Sequence, residues 1–323
     1  MKTAIKKWLF ALCGLMMVIS NTYADDYPTR PIRVMVGYAP GGAPDTVARF
    51  VGQRLTQVLK QSFVIENKPG AGGTLATNQI AKAVPDGYTI MVLDIGQLAI
   101  APYIFKDLPY DSLKDFTPIG RAAVVPMVLA ANADSHIKTM ADLIRLAKAS
   151  PGKITYGSSG IGSIHHIAME VLKSEAGIDL KHVPYKGSGQ SVPALLGGEV
   201  QVAMTAYPAV GSFAKSGQVN IIAVTSEKRF PGTPDVPALS ETYKGYDYAS
   251  EIGIIGPVGL PPDVVAKLSS ALKIILAESD IQNKLLGVGA IPSWLSPQDY
   301  AENIRQNLAK YKKAVEISHA VQN

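Results

Sequence analysis

The sequence predicts an α/β protein folded as two lobes, and three observations carry that expectation. Short apolar runs alternate along the chain with longer stretches of helical periodicity, the βαβα order that favours sheets of parallel strands. Roughly 300 residues follow a leader-like N-terminus, more than one hydrophobic core ordinarily supports. Two segments, Ala123–Leu129 and Tyr248–Gly256, read as crossings between lobes. A double crossing makes a hinge. The expected division is residues 25–122 with 251–323 as one lobe and residues 123–250 as an inserted second lobe.

The elements follow in order. Residues 1–24 read as a secretory signal peptide. Lys2, Lys6 and Lys7 form its basic start, Trp8–Ile19 its apolar run, and Thr22-Tyr23-Ala24 its cleavage site. The run is shorter than the ~20 residues that cross a bilayer, so export to the periplasm is expected rather than anchoring. Ile32–Val36 ends in Gly and Pro, as a buried strand does. Pro44–Val58 is a helix with proline in its first turn. Phe63–Ile65 and Thr89–Leu93 are strands around a helix, Thr74–Val84, closed by Pro85-Asp86-Gly87. Val124–Ala130 is a strand. Thr139–Ala149 is a helix whose Thr139 and Asp142 have the spacing of a capping box. Ser163–Ala176 is a helix stopped at Gly177. Strands recur at Lys181–Val183, Val200–Met204 and Ile221–Val224. The chain closes with helices at Pro262–Ala277, Ile281–Leu286 and Pro297–Val315.

Charge and composition exclude several classes of function. Loss of the signal removes three of the 31 basic residues and none of the 26 acidic ones, so the formal net charge falls from +5 to +2. With no basic stripe, nucleic acid is not an expected partner. Cys13 is the single cysteine and leaves with the signal, which excludes thiol catalysis and thiolate metal sites. No Gly-x-Ser-x-Gly elbow occurs, no Gly-Lys-Ser/Thr closes a phosphate loop, and Gly160-Ile161-Gly162 lacks the third glycine of a dinucleotide fingerprint. His165 and His166 are adjacent on a helix and point about 100° apart, so they do not share a metal. Neither metal nor cofactor is expected, and no catalytic residue is assigned.

Four loops at the carboxyl ends of strands are the candidate binding elements, because that edge is where open α/β sheets bind ligands. Ala39–Asp45 sets two glycines before a helix, presenting N–H groups that suit an anion; a plain helix start with Asp45 in its first turn is the alternative. Asn67–Gly73 has three glycines in four positions, for close backbone approach or as a flexible connector. Tyr156–Ser163 adds three hydroxyls, although Ser163 is also a good N-cap. Pro184–Gly189 offers a phenol, an ammonium and a glycine turn, with Lys186 alternatively a solvated charge.

Together these stretches resemble the Bug-type solute receptors of tripartite tricarboxylate transporters. The matching motifs are Tyr27-Pro28 through Pro31, Pro40-Gly41-Gly42 with Asp45 and Arg49, Pro69–Gly73, and Pro85–Tyr88. Leu108–Asp111 with Asp115-Phe116, Tyr156–Ser163 with His166, and His182–Gly187 continue the match. Gly197-Gly198 before Val200, and Gly256-Pro257 through Pro261, complete it over essentially the whole chain after the signal. Each motif alone is weak; their order and spacing are specific. The resemblance implies a periplasmic binding protein-like fold, two α/β lobes joined by a two-crossing hinge with the ligand cleft between them. It implies a monomeric receptor, not an enzyme. Such a receptor would capture a small dicarboxylate, tricarboxylate, acidic amino acid or aromatic acid for the membrane components of the transporter. A sensor kinase is the alternative recipient, and a secreted α/β enzyme acting on a carboxylate is the remaining rival.

On this reading Pro40, Gly41, Gly42, Asp45, Gly72, Gly96 and Gln97 are the expected ligand contacts of one lobe. Ser158, Ser159, Gly160, Gly162, Ser163, His166, Tyr185, Lys186 and Gly187 are those of the other. Two departures from the family pattern bear on ligand charge. Asp94-Ile95-Gly96-Gln97 stands where relatives carry a Thr/Gly/His-rich loop, and Ser250-Glu251-Ile252 replaces a frequent aromatic. A carboxylate at an anion site repels its ligand, so Asp94 either faces away, pairs with a ligand amine, or marks an unusual ligand.

Overall fold

The computed structural model describes residues 27–318; the expected signal peptide lies outside the described residues. Within them the strands are β1 (Ile32–Val36), β2 (Phe63–Asn67), β3 (Thr89–Asp94), β4 (Phe116–Asn132), β5 (Thr155–Ser158), β6 (Lys181–Pro184), β7 (Val202–Ala206), β8 (Val219–Val224), β9 (Ala249–Pro257) and β10 (Ile291–Leu295). The helices are α1 (Ala43–Leu59), α2 (Thr74–Ala81), α3 (Gly96–Ala99), α4 (Ala101–Ile104), α5 (Met140–Ala149), α6 (Ile164–Ala176), α7 (Ser188–Leu196), α8 (Tyr207–Lys215), α9 (Pro262–Ala277), α10 (Ser279–Gly287) and α11 (Pro297–Ser318).

Two sheets share the long strand β4. The first runs β2-β1-β3-β9-β4-β10 and the second β6-β5-β7-β4-β8. The parallel pairings are β1 with β2 and β3, and β5 with β6 and β7. Strand β9 runs antiparallel to both β3 and β4, and β4 antiparallel to β7 and β8. The sheets are therefore mixed, where the βαβα order predicts parallel ones. Every antiparallel pairing involves β4 or β9, the two strands that carry the chain between lobes.

Strand β4 changes partners midway. Residues up to Pro126 pair with β9, and Met127 onward pairs with β7 and β8. Proline donates no N–H to a ladder, which suits a position where one ladder stops and the next begins. The return crossing is opposite: Ala249 of β9 pairs with Pro126, and the Tyr248 N–H donates to the Thr225 carbonyl (2.9 Å). Thr225 N–H in turn donates to the Met127 carbonyl (3.0 Å), so both crossings are tied together at one point.

Each lobe buries apolar residues on its outer face. Val47 and Val51 of α1 and Leu268 and Leu272 of α9 pack on Val34, Ile90 and Ile254. Val192 and Leu195 of α7 and Val210 of α8 pack on Val128 and Val224 of the other lobe. A third cluster runs continuously behind the cleft, from Met91, Leu93 and Leu98 to Leu129, Tyr156 and Leu172. Tyr300, Ile304 and Tyr311 of α11 complete it, so this one helix packs on both lobes. Full burial of such a side chain contributes roughly 1.5–3 kcal/mol.

Candidate functional site

The site lies where the carboxyl-end loops of the two lobes meet. Two neighbouring spaces sit there, with Tyr38 and Ser159 lining both. The larger, about 220 Å³, is walled by Gly70–Gly73 on one side and by Gly160, Ile161, Tyr185 and Lys186 on the other. The smaller, about 10 Å³, is a chamber lined by Tyr38, Gly42, Ala43, Pro44, Asp94, Ser159, His165 and Ser188. The lobes touch around these spaces: the Ala39 N–H donates to the Lys186 carbonyl across the cleft (3.0 Å). The molecule is in a closed arrangement.

Helix ends aim at the chamber. Helix α1 starts at Gly42 and has no side-chain cap, which leaves its first-turn N–H groups available. Helix α7 starts at Gly187 and is likewise uncapped. The orphan donors and the positive ends of both helix dipoles lie beside the chamber, an arrangement that favours negative charge. Asp45 does not enter this space. Its carboxylate accepts from the Gly41 N–H (2.9 Å), the Arg49 guanidinium (2.9 and 3.0 Å) and the Asn67 amide (2.9 Å). Burial works to raise its pKa, but those hydrogen bonds outweigh burial and hold the carboxyl below its ordinary range. Asp45 thus shapes the loop that carries Gly42. Pro40 and Gly41 are exposed at the loop tip.

Gln97 also acts behind the surface. Its amide donates to the Gly73 carbonyl (3.1 Å) and Thr77 (3.0 Å), and its oxygen accepts the Asp94 N–H (3.0 Å). These bonds tie the glycine loop to the end of β3. The Gly96 N–H donates to Asp94 Oδ1 (2.9 Å), and the Ser250 hydroxyl donates to Oδ2. Asp94 is buried, lines the chamber, and has no ion-pair partner among the described residues. Burial pushes its carboxyl up to about 6, against the Ser250 and Gly96 hydrogen bonds and with help from the Glu251 charge. Glu251 points elsewhere on β9, held by Arg121 (2.5 Å) and Asn307 (3.0 Å).

The second lobe supplies side chains. Ser158 Oγ lies 2.6 Å from His182 Nε2, and Ser159 Oγ lies 2.7 Å from His165 Nδ1 and 3.3 Å from Ser188 Oγ. Thr205 continues the chain of hydroxyls to Ser188 (3.0 Å). Ser163 caps α6: its Oγ accepts the His166 N–H (3.3 Å) and donates to the Gly160 carbonyl (2.7 Å). The Gly162 N–H donates to His166 Nδ1 (3.3 Å). His166 does not line either space. Its ring stacks on His182 (4.2 Å between centroids), which stacks on Tyr156 (4.7 Å). Burial holds His165 and His166 down at about 4, with Lys173 adding to the effect on His166; burial, then His166, holds His182 at about 3. All three imidazoles are neutral at neutral pH.

The structure therefore brings Gly42 and Ser159 to the chamber and Gly72, Ser159, Gly160, Tyr185 and Lys186 to the larger space. Asp45, Gln97, Ser158, Ser163 and His166 support those surfaces from behind. Tyr38, Ala43, Pro44, His165 and Ser188 line the chamber although the sequence did not single them out as contacts. Nothing in the sequence separates His165 from His166, since either could face the cleft from an adjacent helix position. Ser188 carries a clearer signal, for it follows a glycine at a helix start just as Ala43 does. Among the described residues no cluster of three or more His, Cys, Asp or Glu could hold a metal ion. None of the described helices is long and apolar enough to cross a membrane.

Two α/β lobes closing on a polar space between their strand ends define a solute receptor of the periplasmic-binding-protein type. The match to known proteins is specific. Residues 47–319 match the model of the "Tripartite tricarboxylate transporter family receptor", and the chain belongs to that family. The chain is similar to the periplasmic binding protein BugD, with 32% identity and a TM-score of 0.88 over 92% of this chain and 100% of the other. A Rhodopseudomonas palustris protein, Rpa4515, solved with adipate, is 32% identical with a TM-score of 0.88, over 91% and 98% of the two chains. MatC of Rhodopseudomonas palustris, solved with malate, is 29% identical with a TM-score of 0.84, over 90% and 100%.

Proposed function

We propose that this chain captures a small organic acid between its lobes in the periplasm and delivers it to the membrane components of a tripartite transporter. The observation that carries the reading is the pair of uncapped helix starts, α1 and α7, which face the cleft from opposite lobes. Their N–H groups bind a carboxylate without a buried arginine, so the ligand leaves again when the lobes part. Two solved relatives hold dicarboxylates, adipate and malate, which fixes the scale of molecule expected. The adjoining space of about 220 Å³ accommodates an acid of that size.

In this reading the described parts of 25–122 and 251–323, residues 27–122 and 251–318, move as one body and 123–250 as the other, with bending near Pro126-Met127 and Tyr248-Ala249, where the strand pairing changes. No chemical step is required: Ser158 and Ser159 each meet an imidazole, but among the described residues no Asp or Glu carboxylate hydrogen-bonds to His165 or His182 to complete a nucleophile–base–acid relay. The receptor acts as a monomer. The test is calorimetry and thermal shift on purified protein against C4–C6 dicarboxylates, tricarboxylates, acidic amino acids and aromatic acids. A ligand should raise the melting temperature by mass action. Stabilisation by sugars or cations with none by any carboxylate would overturn the reading.

A further inference from the structure

The chamber contains more hydrogen-bond acceptors than a carboxylate site needs. Asp94, Ser159, His165 and Ser188 all line it. His165 Nε2 is buried and has no hydrogen-bond partner, while its Nδ1 is engaged by Ser159 (2.7 Å). Both Asp94 oxygens receive donors, the Gly96 N–H and the Ser250 hydroxyl, which is the pattern of an ionised carboxylate. Yet no cation pairs with it among the described residues. A buried charge is normally paired, and a buried imidazole nitrogen normally has a partner. The space beside them, about 10 Å³, holds roughly one water-sized group. A protonated amine is of that size and has three donors to give.

Resting on the organic-acid reading above, we propose that the ligand is an amino-carboxylic acid whose ammonium group sits beside Asp94 and His165. Neutral His165 adopts the tautomer in which Nδ1–H donates to Ser159, so that Nε2 accepts from the amine. Ser159 and Ser188 hydroxyls offer further acceptors. The amine alone enters the chamber; the carboxylate next to it and the rest of the molecule occupy the larger space, walled by the Gly70–Gly73 and Gly160 backbones. A metal ion is the poorer occupant, because a single carboxylate and one imidazole are too few ligands.

Matched pairs of probes that differ only by the amine decide this: L-aspartate against succinate, and L-glutamate against glutarate. In calorimetry at pH 7.5 the amino member of at least one pair should bind tenfold or more tightly than its partner. Asp94→Asn should abolish that preference. The wild-type pH profile is an independent arm. Between pH 5 and 7.5 Asp94 ionises; Glu251 stays paired with Arg121, His165 stays neutral, and Tyr38, Tyr300 and Tyr311 stay protonated. The preference for the amino acid should grow as pH rises through that window. Desamino acids binding as well or better, with Asp94→Asn neutral or tighter, would show Asp94 as a protonated donor and overturn the proposal alone. If no carboxylate binds at all, the organic-acid reading falls and takes this proposal with it.

Discussion

The lobe of the first sheet meets the cleft with backbone, whereas the lobe of the second meets it with side chains. Gly42, Gly70, Gly72 and Gly73 are presented by turns whose shape comes from left-handed glycine conformations and from Gln97 and Asp45 acting behind them. Ser159, His165 and Ser188 are presented by a chain of hydrogen bonds, and Ser158 behind them is held by His182, whose ring stacks on His166 and Tyr156. One half is held by sterics and the other by protonation state. The two halves should therefore fail under different perturbations, and that difference is open to test.

Acid should act mainly on the side-chain lobe. His165, His166 and His182 are held at about 4, about 4 and about 3, below the 6.5 of a free imidazole. As pH falls below about 6.5 the unfolded chain takes up protons at these sites and the folded chain does not, so stability is lost. Asp94, raised to about 6, runs the other way and gains stability for the fold over roughly pH 6 to 4. Three imidazoles outweigh one carboxyl. Going from pH 7 to pH 5 should destabilise the protein by roughly 4 kcal/mol, each pKa unit being ~1.4 kcal/mol. Melting temperature against pH measures it, and a His182→Gln variant should flatten the slope. An unchanged melting temperature over that range would mean that the imidazoles are not held neutral by the fold.

Sterics should act mainly on the backbone lobe. Gly73 has φ +94°, and a Cβ there would lie 2.4 Å from the Gln97 amide nitrogen. Gly73→Ala should cost about 3 kcal/mol, combining ~1–2 kcal/mol for the left-handed conformation with the overpacking of a filled site. Denaturant unfolding reads this directly, and its pH slope should match that of the wild type. A loss below 0.5 kcal/mol would show that the Gln97 tether is slack.

Closure joins the two halves and has its own probe. Gly189 lies in the first turn of α7 without left-handed strain, yet a Cβ there would stand 2.0 Å from the Pro40 carbonyl of the opposite lobe. Gly189→Ala should leave ligand-free stability near the wild-type value but weaken ligand binding about a hundredfold, equivalent to ~2.7 kcal/mol. Solution scattering should show the variant remaining open at ligand concentrations that close the wild type. Full affinity in the variant would mean that ligand binds without the contact between Pro40 and Gly189.

Local signals made much of this legible in the sequence. The box at Thr139 and Asp142 and the helix Pro262–Ala277 occur as the residues predict. Strand β5 was hidden because Tyr156-Gly157-Ser158 looks like the loop that follows it. Helices α7 and α8 were hidden by Pro193, Pro208 and Gly211, breakers that tertiary packing overrides. The antiparallel course of β9 left no trace, since side-chain alternation carries no direction. The cleft loops were recognisable from glycine and serine alone. Which of their residues line the cleft was not, because burial partners such as Asn67 for Asp45 and Thr77 for Gln97 come from distant positions.

Lys186 is the smallest perturbation and the most direct check on the contrast between backbone and side chain. It lines the larger space, the one lysine to do so among the described residues. Its carbonyl, however, makes the cross-cleft bond to Ala39, and its N–H is taken by Gln190 (3.2 Å). Both contacts survive truncation of the side chain. An exposed ammonium interacting through water contributes ~0–1 kcal/mol to a charged partner, and less as salt rises. Lys186→Ala should therefore weaken binding of an organic acid less than about threefold at 0.15 M salt, with the small loss shrinking further at 0.5 M. A tenfold loss that persists at high salt would place the ammonium directly on the ligand and make this lobe's charge, rather than its hydroxyls, the chief anion contact.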